Sequence, residues 1–305
     1  MSLFDSVDTV VAGLRASGYI ADPRLATTLL IAARLEKPLL VEGPAGVGKT
    51  ELAKAVAAAL GTELVRLQCY EGLDEAKTLY EWEYPKQLLY TQMLREKIGE
   101  VVSGAATLTE AVDRIAAHED AFFSERFLQA RPLLQAIRAD HPVVLLIDEV
   151  DRAEEELEAF FLEVLAEFQV TVPELGTLRA RHRPLVVLTS NATRELSDAL
   201  RRRCVYLPLD YPSAEREAEI VLSRVPGFDR TMASELSAFV AELRTLDLKK
   251  RPSISETIDW ARALLVLSAT ELGEQVVVDT LNLLLKYEGD IETAAAKVPA
   301  ILARR

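Results

Sequence analysis

The stretch that most constrains this chain is GPAGVGKT, residues 43–50, which satisfies G-x-x-x-x-G-K-[ST] through Gly43, Gly48, Lys49 and Thr50. Before it runs the short apolar segment Pro38-Leu39-Leu40-Val41-Glu42, which reads as a buried strand. After it comes ELAKAVAAAL, residues 51–60, a run of strong helix formers. Strand, glycine loop and helix in this order specify a parallel α/β unit with an anion site at the helix N-terminus. Glycines without a Cβ let successive N–H groups turn inward, and the helix dipole points to the same place. The candidate phosphate-binding set is therefore Gly43, Pro44, Ala45, Gly46, Val47, Gly48, Lys49, Thr50 and Glu51. Lys49 would bridge β- and γ-phosphates, and the Thr50 hydroxyl would serve a magnesium ion.

A second motif follows about a hundred residues on. VVLLI, residues 143–147, is a continuous apolar run expected of a central parallel strand, and it ends in Asp148-Glu149. Beside a phosphate loop, Asp148 can hold the metal and Glu149 can act as general base on water. On its own, an Asp-Glu pair after an apolar run also serves as a helix cap. The strand PLVVLT, residues 184–189, leads to Asn191, whose amide could orient the same water or touch the γ-phosphate, although Asn also favours turns. Arg201-Arg202-Arg203 offers planar cations suited to phosphoryl charge, and equally suits a basic surface cluster. Lys249-Lys250-Arg251 opens a helix from which Arg251 could reach over a nucleotide.

Composition narrows the class. The 305 residues are half hydrophobic and carry a formal charge of −13, which disfavours a surface built to grip nucleic acid. Cys69 and Cys204 are far apart and read as small buried hydrophobes. No apolar stretch is long enough to span a bilayer, and no basic-apolar leader opens the sequence, so a cytoplasmic protein is expected.

Helical spacing is found over residues 3–16, over 23–35 with Asp22 as cap, over 85–97, 108–117 and 124–139, and after Glu149. In that last helix the glutamates read as a solvated face. Residues 63–68 and 205–209 read as strands, and residues 168–181 as a hairpin around Pro173-Glu174-Leu175-Gly176. The aromatic residues Tyr80, Trp82, Tyr84 and Tyr90 suit core packing or a partner surface. From Ser213 onward only helical periodicity remains. An α/β nucleotide-binding domain over 1–210 and a small helical domain over 211–305 are therefore expected.

GPAGVGKT, VVLLIDEVDR, TSN and RRRC, in this order before a helical domain, resemble the Walker A, Walker B, sensor 1 and arginine-finger elements of AAA+ ATPases. The phrases YIADPRLATTLLIAARLEKPLLVEGPAGVGKT and DEVDRAEEELEAFFLEVLAEFQVTV are similar to those of the MoxR branch, most of all the CoxD-type ATPases encoded beside carbon monoxide dehydrogenase genes. The resemblance implies a P-loop core with a parallel sheet, a helical lid, a helix-two insert within 70–130 and a hairpin insert at 168–181. It implies ATP and Mg2+ as cofactors, with Thr50 and Asp148 on the metal. Glu149 would be the catalytic base and Asn191 sensor 1, and Arg203, or next Arg202, the arginine finger.

It further implies a homo-oligomer, a hexameric ring, that works with a von Willebrand A-domain protein to mature a client metalloenzyme such as a molybdenum hydroxylase. One departure stands out. The segment Arg251-Pro252-Ser253-Ile254-Ser255 places Ser255 where the branch carries its sensor 2 arginine, so that either Arg251 substitutes or sensor 2 is lost. A nucleic-acid motor related to clamp loaders and a non-hydrolysing, nucleotide-dependent scaffold are the competing readings.

Overall fold

The computed structural model describes residues 3–93, 95–116, 127–172 and 176–304. Its strands are β1 (Leu39–Glu42), β2 (Glu63–Gln68), β3 (Tyr80–Trp82), β4 (Leu128–Ala130), β5 (Val143–Asp148), β6 (Gln169–Val172), β7 (Gly176–Arg179), β8 (Leu185–Ser190) and β9 (Val205–Pro208). Five of them form a parallel sheet in the order β2-β5-β8-β1-β9. The register sets Gln68 beside Asp148, and Glu42 beside both Ser190 and Pro208, so the polar ends of four strands line up along one edge. In open parallel sheets that edge is where ligands bind.

The sheet is covered on both faces, which is why β5 is apolar from Val143 to Ile147 and buried along its whole length. Val144 and Leu146 point with Leu39, Val41 and Val187 toward the helices Val7–Ala16, Pro23–Arg34 and Lys49–Leu60. Leu145 and Ile147 point the other way with Leu40, Val186 and Leu188, against helices Pro132–Arg138 and Glu155–Glu167. Each such side chain contributes roughly 1.5–3 kcal/mol on burial.

The structure corrects several local expectations. Residues 3–16 are not one helix. A turn at Leu3–Asp5 precedes Ser6, which caps the helix Val7–Ala16 through a reciprocal box with Thr9. The expected helix over 124–139 is instead strand β4 followed by the helix Pro132–Arg138, with 124–126 outside the described residues. Pro132 explains the break, because a residue before proline avoids the helical region and Arg131 is extended at ψ 169°.

Strand β4 pairs antiparallel with β3, a two-stranded sheet not expected from the sequence. It buries Trp82, on whose ring Tyr80 stands edge-on at 5.9 Å, while Tyr84 remains 65% exposed. The expected helix over 85–97 is two, Tyr84–Met93 and Arg95–Val102, and the one over 108–117 runs Leu108–Ala116, with 117 outside the described residues. The hairpin β6–β7 pairs Val172 with Gly176, and 173–175 likewise lie outside the description.

After β9 the described chain is helical. Six helices between Ala214 and Leu302 pack around Leu236, Phe239, Trp260 and Leu281. Side-chain contacts tie these helices to the sheet domain and to the segment that leads into them. Arg216 donates to Asp22 and to the Ile20 carbonyl, each at 2.6 Å. Arg244 pairs with the fully buried Glu217, donates to the Pro252 carbonyl at 2.9 Å and lies 4.4 Å over the Tyr211 ring. Among the described residues, no helix is long and apolar enough to cross a membrane.

Candidate functional site

The glycine loop sits at the polar edge of the sheet. A Cβ on Gly43 would stand 1.8 Å from the Leu209 carbonyl oxygen, so only glycine lets the loop leave β1 beside the end of β9. Gly46 has φ +76°, and a Cβ there would lie 2.3 Å from Cβ of Ser253, the residue that caps the helix Ile254–Val266. The loop therefore touches the C-terminal helices directly. Gly48 then opens the helix Lys49–Leu60.

Lys49 is 7% exposed and spends its three N–H bonds on the carbonyls of Gly43 and Pro44, both at 2.7 Å, and on Asn191 Oδ1 at 2.8 Å. Burial lowers its pKa, and the carboxylates of Asp151, Asp148, Glu149 and Glu42 oppose that shift. The ammonium is thus held at the centre of the loop by acceptors from two strands.

Asp148 is buried at the tip of β5. Its Oδ1 accepts from Thr50 at 3.0 Å and from Thr189 at 2.5 Å, and its Oδ2 accepts from Arg66 at 2.6 Å. Thr50 and Asp148 are both hard oxygen donors within hydrogen-bond distance of each other. No cluster of three or more His, Cys, Asp or Glu ligands exists among the described residues. That donor set fits magnesium, which keeps waters and takes oxygens from phosphates, better than a metal held in a full protein cage.

Glu149 follows in a left-handed conformation, φ 57°. Its backbone N–H donates to Thr189 Oγ1 at 2.9 Å. Its carboxylate is held by Gln68 Nε2 at 3.1 Å and Arg152 Nε at 3.0 Å, with Asn191 Nδ2 at 3.5 Å. Lys49, Thr50, Asp148, Glu149 and Asn191, predicted from separate motifs, are thus brought together in one network.

Beside the loop opens a cavity of about 300 Å³. Tyr19, Ile20, Val47, Leu209, Ile254 and Ile258 give it apolar walls, and Gly46, Gly48 and Glu51 edge it. Burial pushes the Tyr19 phenol up to about 12. Arg216, Arg224 and Arg262 from the C-terminal helices supply cations at its rim. Arg251 does not line this cavity and is exposed, whereas Ser255 does line it.

The arginine triplet divides. Arg201 is half-buried on Glu42 at 2.9 Å, near the Tyr206 ring. Arg202 is exposed, 4.0 Å from Asp198, and Arg203, also exposed, donates to the Leu162 carbonyl. Neither Arg202 nor Arg203 lines the cavity or bonds a residue of the loop network.

Glu158 corrects the reading of the glutamates after Glu149 as a solvated face. It is 1% exposed, accepts from the Ser197 N–H at 2.9 Å and pairs with Arg194. Cys69 is buried and Cys204 half-buried, and burial pushes both thiols up to about 12. The sequence reading also missed Arg66, Gln68, Asp151, Thr189, Arg216 and Arg262. The signal for two of these was alternation, since Arg66 and Gln68 share one side of β2 and run beside the tip of β5.

The sheet order, the glycine loop and the carboxylates at the neighbouring strand tip define a P-loop nucleotide-binding domain. The chain belongs to the AAA family, the ATPase family associated with various cellular activities, whose model matches residues 39–208. It is 28% identical to Protein NorQ of Paracoccus denitrificans over 79% of this chain and 76% of that protein. An uncharacterized protein of Staphylococcus haemolyticus is 27% identical over 77% and 78% of the two chains. Among solved structures, the Thermotoga maritima RuvB Holliday junction branch migration motor is 15% identical, with a TM-score of 0.45 over 91% of this chain and 71% of that one. A RuvB variant from the same organism reaches 0.48 at 18% identity, with the same coverage.

Proposed function

We propose that this AAA protein is a ring-forming ATP hydrolase of the MoxR type, which uses turnover to remodel or mature a client protein. Membership of the family and the relation to NorQ over most of both chains support the nucleotide-driven part of this reading. The observation that carries it is the single network in which Lys49, Thr50, Asp148, Glu149 and Asn191 meet, while Arg203 bonds the Leu162 carbonyl outside it. Lys49 holds the β- and γ-phosphates, and Thr50 and Asp148 hold magnesium. The metal, when bound, neutralises charge gathering on the phosphate oxygens. Glu149 takes the proton of the attacking water as Asn191 orients that water. Arg203, with Arg202 as second choice, serves the site of the next subunit in a homo-oligomer, a hexamer by family resemblance.

The cavity walled by Tyr19, Ile20 and Ile258 would take the adenine, with residues 211–305 as the lid. Arg262, from that lid, takes the cationic role expected of Arg251, because it lines the cavity and Arg251 does not. The CoxD-type resemblance makes a von Willebrand A-domain protein the partner and a metalloenzyme the client, in the cytoplasm. The test is turnover per subunit against protein concentration. The wild type should rise steeply as rings assemble, and Arg203→Ala should stay low throughout. Turnover independent of concentration and indifferent to Arg203 would overturn the shared-site reading.

A further inference from the structure

Asp151 lies on the single turn Val150–Arg152 that follows Glu149, and it is only 3% exposed. Its Oδ2 reaches across to the end of β8, accepting from the Thr193 N–H at 3.0 Å and from the Thr193 hydroxyl at 2.6 Å. Burial raises the pKa of this carboxyl, but the hydrogen bonds from Thr193 help to outweigh it and hold the group below the usual carboxylate range. Asp151 is thus a buried anion tied to the segment 191–193.

That segment is conformationally costly. Ala192 has φ 56° and Glu149, at the neighbouring strand tip, φ 57°. Side-chain-bearing residues rarely adopt this region, at about 1–3 kcal/mol each, and hold it only where surrounding bonds dictate it. Those bonds are visible. The Ala192 N–H donates to Ser190 Oγ at 3.0 Å, and the Glu149 N–H donates to Thr189 Oγ1. The Asp151–Thr193 link closes the gap between the two turns. Between its ends hangs Asn191, with its carbonyl oxygen on Lys49 at 2.8 Å and its amide nitrogen 3.5 Å from Glu149.

We propose that Asp151 is a positioning residue for hydrolysis. By holding Thr193 across the left-handed Ala192, it fixes Asn191 between the phosphate-binding Lys49 and the general base Glu149. The inference rests on the hydrolytic reading of the site. It places Asp151 out of contact with the reacting atoms and routes its effect on turnover through Asn191, beside the pull of its charge on Lys49.

A double-mutant cycle tests this. Asp151→Ala, Asn191→Ala and the double variant are compared for kcat, for KM and for the Kd of ADP with magnesium, with Thr193→Val as a milder break of the same link. Asp151→Ala should lower kcat about 10–100-fold and leave ADP affinity within about threefold, with Thr193→Val moving the same way by less. In the Asn191→Ala background the further loss from Asp151→Ala should be under about threefold. Full multiplication of the two losses would overturn the proposal. So would an equal fall in kcat and ADP affinity for both Asp151→Ala and Thr193→Val, the pattern of a residue that only holds the fold. A wild type that binds ATP with magnesium but does not turn it over would overturn the hydrolytic reading itself, and this role with it.

Discussion

Replacing Arg244 with methionine isolates the bond set that ties Glu217 and Pro252 of the C-terminal helical region to Tyr211. Arg244 is 7% exposed and Glu217 fully buried, and the two are joined through both terminal guanidinium nitrogens. The same guanidinium holds Pro252, next to the Ser253 cap that meets Gly46, and stacks on Tyr211 in the connection between the domains. Methionine fills much of the volume but leaves the Glu217 carboxylate buried with no cation. Breaking a buried pair in this way costs about 3–5 kcal/mol. At this chain size that corresponds to a fall in Tm of roughly 5–8 °C. Arg244→Met/Glu217→Met removes both charges and should be more stable than Arg244→Met, since a buried pair exchanged for packed apolar groups is often close to neutral. Denaturant unfolding of the three proteins gives the values. A cost under about 1 kcal/mol for Arg244→Met, or a double variant less stable than the single, would refute the reasoning.

Three further outcomes follow from the site. Gly46→Ala puts a Cβ onto Ser253 at a positive φ, and should weaken ADP binding by at least about tenfold in calorimetry while secondary structure by circular dichroism is kept. Lys49→Met should abolish nucleotide binding. Because burial lowers the Lys49 pKa, the charged form is penalised in the folded state. That penalty is complete below the folded pKa and fades as the pH climbs toward 10.5, so unfolding measurements should find wild type gaining on Lys49→Met over that rise. Glu149→Gln should bind ATP as well as wild type yet turn it over at least about 100-fold more slowly, read by filter binding beside phosphate release.

The parts of this site legible in the sequence are those whose chemistry requires a fixed spacing. A loop that must pass Leu209 and Ser253 without a Cβ needs its glycines, and a strand covered on both faces needs an unbroken apolar run before Asp148. What stayed hidden depends on which strand lies beside which. Arg66 and Gln68 read as the wet side of an alternating strand until β2 is seen to pair with β5, which turns them toward Asp148 and Glu149. Glu158 was masked by its acidic neighbours, although it falls in helical step with Phe161 and Leu165, both buried. The strand β4 was lost because Phe127, Ala130, Leu134 and Ile137 fall at helical spacing across a break that Pro132 imposes. Arg251 is the arginine beside the expected sensor 2 position, but it precedes the helix Ile254–Val266, and the arginine of that helix that lines the cavity is Arg262.

The claim that a neighbouring subunit completes the site is tested most directly by mixing two inactive proteins. Glu149→Gln removes the base of its own site and keeps Arg203, while Arg203→Ala keeps the base and lacks the finger. If Arg203 acts across a subunit boundary, each protein alone is nearly inactive, and the mixture recovers turnover at sites that pair an intact Glu149 with a neighbour's intact Arg203. An arginine finger of this kind is worth ~10³–10⁵ in rate, so recovery should stand far above either background. A mixture no more active than its components, with mixed oligomers verified by sedimentation, would contradict the account.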